Sequence, residues 1–255
     1  MPRQRQLSVH RLAILSALLF AGGSYGGQLS IAPVRVYLDE STASGAIELS
    51  NPSGSPVTVQ VNGVEWRQTS TGEDEYEPTS DLIAFPPMFT IPPGGLQLVR
   101  VGISGERSRQ RERAFRLYFT ELPPAHGQDL KATLRMRLRI GIPVFAAPSE
   151  PPRADLAMVR SEFDGQQFYL TLRNSGNQHI RLTDLYADEL QSAERTASAR
   201  YLLPGAGFRF PVDLPAGEAS PVIVKAVTDQ LGVSEYQIDW SAVDRSPGEG
   251  ALARR

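Results

Sequence analysis

Beyond its first 26 residues, the sequence predicts an all-β protein built from two antiparallel β-sandwich domains. Apolar residues recur with period two in short runs, and clusters of glycine, proline, asparagine and serine separate these runs. No long stretch of the chain shows the 3.6-residue periodicity of an amphipathic helix. Many short strands divided by turns favour β-sandwiches, and a chain of 255 residues has the length for two such domains.

The first 26 residues have the layout of a secretory signal peptide. Arg3, Arg5 and Arg11 precede an apolar run at residues 12–20, which is too short to cross a bilayer. Small residues follow this run, and we expect cleavage near Gly26. No second long apolar run follows, so we expect export without membrane insertion of the mature chain.

The composition of the exported chain excludes disulfide bonds and argues against nucleic-acid binding. The sequence contains no cysteine, so the folded state must be stabilised by core burial and not by disulfide bonds. Loss of the signal peptide removes three arginines and no acidic residue, which changes the formal net charge from −2 to −5. An acidic chain is a poor candidate for nucleic-acid binding, and we predict no nucleic-acid partner.

A proline-rich segment at residues 147–152 is the best candidate for a domain boundary. The candidate strands before it are residues 34–38, 46–50, 57–66, 96–103, 115–122 and 132–145. The candidates after it are residues 154–160, 167–174, 180–187, 208–212, 222–227 and 235–240. We therefore expect a signal peptide (1–26), an N-terminal domain (27–148), a C-terminal domain (149–247) and a disordered tail (248–255).

The strand ending at Phe145 has the most regular pattern in the chain. Its large apolar residues fall on one face of the predicted strand, and arginines at residues 135, 137 and 139 fall on the other. The apolar row begins with Leu134, Met136, Leu138 and Ile140. Such a row near a sheet edge suits a strand that is shared with another protein, although an internal core strand alternates in the same way.

Residues that could support catalysis or metal binding are scarce in the sequence. The mature chain keeps His126 and His179, and we expect both at the surface because no ligand partners accompany them. The acidic group at residues 73–77 lacks the spacing of a calcium loop, and the charged run at residues 106–113 lacks interleaved aromatics. We interpret both as solvated loops, and we predict no enzymatic activity, no metal and no cofactor.

An ordered set of short motifs resembles the periplasmic chaperones of the chaperone–usher pilus pathway, and its composition is closest to the archaic type. In the first domain the set comprises residues 33–38 (PVRVYL), 47–52 (IELSNP), 59–61 with Trp66, 86–87 (PP), 89–94 (FTIPPG), 97–101 (QLVRV) and 112–124 (ERAFRLYFTELPP). In the second domain residues 203–205 (LPG) before Phe208 fit the same plan. Each motif alone is weak, but their order and spacing are specific.

The resemblance implies two immunoglobulin-like domains in a boomerang arrangement, located in the periplasm. It implies pilin subunits as partners, because such a subunit lacks the last strand of its sandwich and receives one from the chaperone, a form of β-augmentation. It further implies delivery of the subunit to an outer-membrane usher, with no nucleotide and no covalent chemistry. The sequence leaves open whether the free protein covers its apolar strand by self-association.

The resemblance also assigns roles to individual residues. The donated side chains would be Leu134, Met136, Leu138 and Ile140. The family anchors the subunit's C-terminal carboxylate with two basic residues, and Arg35 matches the first of them. Pro143 stands where the best-known members have the second, a lysine. We therefore expect Arg116 on the neighbouring strand to replace it, with Arg139 as the weaker candidate.

An exported carbohydrate-binding or adhesive module is the alternative function. In that case Trp66, Tyr37 and Tyr76 would be platforms on which sugars stack. A buried tryptophan is a hallmark of immunoglobulin-like sandwiches, so we favour Trp66 as a core anchor.

Overall fold

The computed structural model describes residues 29–105, 108–123, 138–187, 199–213 and 221–245. These residues form strands β1 to β17 and one short 3₁₀ turn at Trp240–Ala242. The predicted all-β class is confirmed, and the strands form two separate sandwiches of immunoglobulin-like type. No helix among the described residues has the length and apolar character to cross a bilayer.

The described part of the first sandwich contains ten strands in two sheets. In chain order they are β1 Ser30–Ala32, β2 Val36–Leu38, β3 Ser44–Ser50, β4 Val57–Gln68, β5 Asp74–Pro78, β6 Leu82–Phe85, β7 Met88–Ile91, β8 Leu96–Ile103, β9 Arg113–Leu122 and β10 Arg139–Ala146. One sheet has the order β1-β3-β8-β6, and the other has the order β2-β10-β9-β4-β5 with β7 also paired to β4. The acidic segment predicted as a loop therefore forms an exposed edge strand, β5.

The second sandwich contains seven described strands. They are β11 Leu156–Phe163, β12 Phe168–Asn174, β13 Ile180–Ala187, β14 Arg200–Leu202, β15 Gly207–Val212, β16 Val222–Thr228 and β17 Gly232–Ile238. One sheet has the order β11-β12-β15, and the other has the order β14-β13-β16-β17.

Each sandwich has its own apolar core, which the period-two pattern of its strands creates. In β9, Phe115, Leu117 and Phe119 are almost completely buried between the two sheets of the first sandwich, whereas Arg116 and Tyr118 point to the opposite face. The second core is built in the same way around Leu170, Leu172 and neighbouring aliphatic residues. Burial of one such large side chain contributes about 1.5–3 kcal/mol to stability, so the cores can hold a chain that has no disulfides.

Strand β10 lies between β9 and β2 and connects the first sandwich to the second. It runs antiparallel to β9, with Pro143 opposite Arg116, and parallel to β2, with Val144 opposite Val36. Its even-numbered residues Ile142 and Val144 lie in the core of the first sandwich. The predicted strand began at residue 132, but Leu134 and Met136 lie outside the described residues and β10 is described from Arg139.

A buried asparagine closes an equivalent turn in each sandwich. Asn51 donates from Nδ2 to the carbonyl oxygens of Ser55 and Ile91 at 2.8 and 3.0 Å. Asn174 donates to the carbonyl oxygens of Gln178 and Leu202 at 2.7 and 2.8 Å. These amides satisfy backbone groups that the strands leave unpaired at their ends.

We expect Asn174→Ala to lower the free energy of unfolding by at least about 2 kcal/mol, because it removes these bonds at a site that is 0% exposed. Urea unfolding followed by circular dichroism measures this loss. Asn62→Ala is the control, since Asn62 is exposed and its replacement should change stability by less than about 0.5 kcal/mol. Equal midpoints for the two variants would contradict the role of Asn174.

Candidate functional site

Two arginines flank Pro143 on the face of the sheet that is turned towards the second sandwich. Arg116 is the residue of β9 opposite Pro143, and Arg35 immediately precedes the first residue of β2 on the other side of β10. Neighbouring strands are about 4.8 Å apart, so the backbones at Arg35 and Arg116 are separated by about 10 Å. The fold therefore brings together two of the three predicted anchor arginines.

Arg35 is held by a carboxylate of the second sandwich. Its Nη1 donates to Oδ2 of Asp229 at 2.7 Å, and Asp229 also accepts from Nη1 of Arg181 at 3.2 Å. The hydrogen bond to Asp229 raises the pKa of Arg35 above its ordinary value. Partial burial alone would raise the pKa of Asp229, but the hydrogen bonds from both arginines together lower it. The cluster thus has two positive charges and one negative charge, a surplus that suits a second carboxylate.

Arg116 stacks on the indole ring of Trp66. Its Cζ lies 4.0 Å from the ring centroid, and its Nε is buried without a hydrogen-bond partner among the described residues. A buried N–H group without a partner costs free energy, which an incoming acceptor can recover. The guanidinium is planar and charged, so it can donate two parallel hydrogen bonds to a carboxylate.

Arg139 is separated from the other two arginines. It lies four residues before Pro143 on β10, which corresponds to about 13 Å along a strand. Its Cζ lies 3.8 Å from the ring centroid of Tyr118, and Gly141 makes room for that ring, since a Cβ there would come within 2.9 Å of it. The structure does not bring Arg139 within reach of a carboxylate held by Arg35.

The two sandwiches meet at an aromatic cluster. Trp66 and Phe145 are 2% and 1% exposed, and they pack with Leu203 and Tyr201 of the second sandwich. Trp66 is buried, as predicted, but it belongs to the contact between the sandwiches and not to the core of either one. Nearby backbones touch directly, because Gly207 donates its N–H to the Ser70 carbonyl at 3.1 Å.

Gly72 permits this close approach. It adopts a φ of +80°, and a Cβ at this position would lie 2.5 Å from the Gly207 carbonyl oxygen. A larger residue would therefore be strained in its backbone and would also push the two sandwiches apart.

His179 is buried between the sandwiches, so the prediction that it lies at the surface is wrong. Its ring is stacked on that of Phe145 with 3.6 Å between centroids, and Nδ1 lies 2.7 Å from Oε1 of Glu112. The Glu112 side chain is only 6% exposed, so its assignment to a solvated charged loop is also wrong. His126, Glu106 and Arg107 lie outside the described residues.

Part of one edge of β10 is open. Within the described residues, β2 pairs with Val144–Ala146 and no strand lies on that side of residues 139–143. The Ala147 N–H donates to Leu38 on the β2 side, and the Leu138 carbonyl accepts from Glu121 on the β9 side. Backbone groups alternate between the two sides of a strand, so Arg139 and Gly141 direct theirs to the open edge.

The side chains beside this open edge continue the apolar face of the core. Ile140 is partly buried and packs against the first core, and Leu138 is also partly buried. Both have the same parity as the core residues Ile142 and Val144, so all four project from the same face of the chain. This face and the open edge are suited to binding an extended segment that carries its own apolar side chains.

Sequence reasoning missed polar residues of the interface around His179 and Arg35. Asp229 contacts Arg35 and Glu112 contacts His179 across the interface, while Arg181 and Gln230 support Asp229 and His179 from within the second sandwich. No local motif identifies them, because their partners lie between 48 and 194 residues away in the sequence. Among the described residues no group of three or more histidine, cysteine or acidic side chains could hold a metal ion.

Comparisons with known proteins found one matching family model and solved structures of the same fold. The family model for pili and flagellar-assembly chaperones, PapD N-terminal domain, matches residues 28–152. A chaperone–tip adhesion subunit complex, CsuC–CsuE, from the archaic Csu pili of Acinetobacter baumannii is 21% identical, with a TM-score of 0.59 over 83% of this chain and 97% of the other. No curated protein matches the sequence.

Two further solved structures have the same fold. The Salmonella enterica complex of the SafA pilin with the SafB chaperone is 16% identical, with a TM-score of 0.60 over 83% of this chain and 96% of the other. The E. coli chaperone DraB is 18% identical, with a TM-score of 0.56 over 84% and 98%. At these identities the similarity establishes the fold alone.

Proposed function

Residues 28–152 belong to the family of pili and flagellar-assembly chaperones, and on that premise we propose that this protein binds pilin subunits by donating β10 and the residues before it. The bound subunit then passes to an outer-membrane usher for pilus assembly. Binding takes place in the periplasm, and no cofactor and no covalent step are involved. The observation that supports this proposal best is the open edge of β10, beside which the core face of the first sandwich continues.

The apolar face explains how one strand can serve two proteins. Ile142 and Val144 complete the core of the first sandwich, while Leu138 and Ile140 project from the same face nearer the open edge. With Leu134 and Met136 before them, they would fill the groove of a subunit that lacks its last strand. Each large side chain buried in that groove contributes about 1.5–3 kcal/mol, which offsets the entropy lost when the subunit becomes ordered.

The position of β2 supports a specific place for the end of the subunit chain. A subunit strand at the open edge of β10 lies in line with β2 and is blocked where β2 begins. Arg35 stands at that point, so a strand running parallel to β10 would place its C-terminal carboxylate beside this arginine. Arg116 lies across Pro143 and offers the second guanidinium, whereas Arg139 lies too far along the strand to share the same group.

The structure disfavours sugar binding at the predicted aromatic platform. Trp66 is 2% exposed and its ring is covered by Arg116, so no sugar can stack on it. Tyr37 and Tyr76 are exposed, but Tyr37 lies above Phe145 in the interface and Tyr76 lies edge-to-face with Tyr118. Among the described residues, Trp66, Tyr37 and Tyr76 do not form a flat pair of exposed rings.

Co-expression with small exported subunits tests the proposal. We expect a one-to-one complex in the periplasmic fraction, in which the chaperone begins between Tyr25 and Gln28 by N-terminal sequencing. The control is a subunit whose final residue is blocked by a fused C-terminal tag, which should not be recovered because its carboxylate is displaced. Recovery of the protein in the cytoplasm with an intact N-terminus would contradict the proposed location, and equal recovery of both subunits would contradict the anchor.

A further inference from the structure

The backbone N–H and the ring Nδ1 of His179 both contact the first sandwich. The backbone N–H of His179 donates to Oε1 of Glu112 at 2.9 Å, and Nδ1 lies 2.7 Å from the same oxygen. The stacked ring of Phe145 covers the face of the imidazole. The position of His179 relative to the first sandwich is therefore fixed by two hydrogen bonds and by ring contacts with Phe145 and Tyr37.

The other ring nitrogen of His179 faces Gln230. The Nε2 atoms of the two residues are 3.2 Å apart, while Oε1 of Gln230 accepts the backbone N–H of Arg181 at 2.9 Å. A backbone N–H can only donate, so it fixes the orientation of the Gln230 amide and directs its NH₂ group to the imidazole. Nε2 of His179 is thus an acceptor, and the ring proton lies on Nδ1 and is donated to Glu112.

Gln230 belongs to the turn that carries Asp229. The backbone N–H of Asp229 donates to the Arg181 carbonyl at 3.1 Å, and the Leu231 N–H donates to Oγ1 of Thr228 at 2.9 Å. The turn is therefore held to the start of β13 by Arg181, and the ladder between β16 and β17 closes it. Besides the ion pair of Asp229 with Arg35, the contact between Gln230 and His179 links this turn towards the first sandwich, one residue from the carboxylate that binds Arg35.

We propose that His179 is a positioning residue for the carboxylate anchor. It ties the turn at residues 228–231 to Glu112 of the first sandwich, so Asp229 stays opposite Arg35 and the two sandwiches keep one relative orientation. Arg35 then presents its guanidinium to the subunit carboxylate in one geometry. This inference rests on the proposed function for the role of Arg35, but the orientation of the sandwiches is measurable without any subunit.

Spin labels can measure that orientation directly, because the natural chain contains no cysteine. Glu48→Cys on β3 and Gln166→Cys before β12 introduce one exposed label site in each sandwich. Double electron–electron resonance should give one narrow distance distribution for this labelled protein. We expect Gln230→Ala and His179→Asn to broaden it, whereas Gln237→Ala, an exposed change on β17, should leave it unchanged.

Gln230→Ala keeps the test valid if the buried histidine cannot be replaced, since Gln230 lies on a surface turn and its loss should not unfold the protein. His179→Asn retains a donor in the place of Nδ1 but loses the contact with Gln230. Unchanged distance distributions for both variants would overturn the proposal.

Peptide binding connects the orientation to the anchor. The probe is a synthetic peptide of alternating valine and threonine, made with a free C-terminal carboxylate and as the C-terminal amide. We expect the labelled protein without further changes to prefer the carboxylate form at least about tenfold, and Gln230→Ala to bring that ratio close to one. The Gln237→Ala control should keep the full preference.

The outcomes separate the two ideas. If the unaltered protein shows no preference for the carboxylate, the anchor fails and the positioning role fails with it. If the unaltered protein prefers the carboxylate and Gln230→Ala keeps the same preference, the anchor stands and the role of His179 is refuted.

Discussion

Replacement of both Leu134 and Leu138 by serine is expected to eliminate the subunit complex while the chaperone remains folded. Leu138 is only partly buried in the free protein, so its loss costs the chaperone little. In the complex, two large apolar side chains contribute about 3–6 kcal/mol, which corresponds to a hundredfold or greater loss of affinity. Recovery of the complex from the periplasmic fraction measures the effect, and urea unfolding verifies the fold.

Ile142→Ser is the matched control for this experiment. Ile142 lies on the same face of the chain four residues after Leu138, but it is 2% exposed and belongs to the core. Truncation of a buried aliphatic residue costs about 2–5 kcal/mol, so this variant should lose stability before it loses a partner. If the double serine variant unfolds in the same way, the row is an internal core strand and the donor assignment is wrong.

Arg35→Ala is expected to prevent recovery of the complex without a visible effect on the free protein. Loss of one partner from a partly desolvated charge pair costs about 2–5 kcal/mol, which is at least about thirtyfold in affinity. The ion pair with Asp229 is about one-third exposed on both sides, so its own contribution to folding should be below about 1 kcal/mol. Pull-down of a tagged subunit reports binding, and circular dichroism reports folding.

Arg116→Ala should have the same effect if this residue is the second anchor. Arg109→Ala in the exposed loop before β9 is the charge-matched control and should change neither property. Equal yields from Arg116→Ala and the unaltered protein would remove Arg116 from the site. Arg139 would then be tested, although its distance along β10 makes it a poor partner for Arg35.

Features encoded by neighbouring residues could be predicted from the sequence. The period-two pattern of 115–122 predicted β9, including the outward direction of Arg116 between Phe115 and Leu117. The motif around Arg35 predicted a strand at residues 34–38, and the structure has β2 at Val36–Leu38. Burial of Trp66 was also predictable, since a large aromatic residue in a sandwich strand is rarely exposed.

Features that depend on contacts between the domains could not be predicted. Glu112 resembles its charged neighbours in the sequence, and only the distant His179 makes it a buried hydrogen-bond acceptor. Asp229 follows a strand in a short turn, which is an ordinary place for an aspartate, yet it binds an arginine 194 residues away. Such residues have the composition of solvated loops, and their role arises only when two finished sandwiches meet.

Pro143 gives the open edge of β10 a defined end. Its backbone nitrogen belongs to the set of groups directed towards β2, but it carries no hydrogen to donate. A guest strand can therefore pair with the groups of Arg139 and Gly141 and then reaches a gap in the ladder, immediately before β2 occupies the edge. Pro143 thus sets the register of the paired strand, since a shift of that strand by two residues would lose a hydrogen bond or cause a clash with Val36. Subunits of different sequence would thus be held in one alignment by the backbone alone.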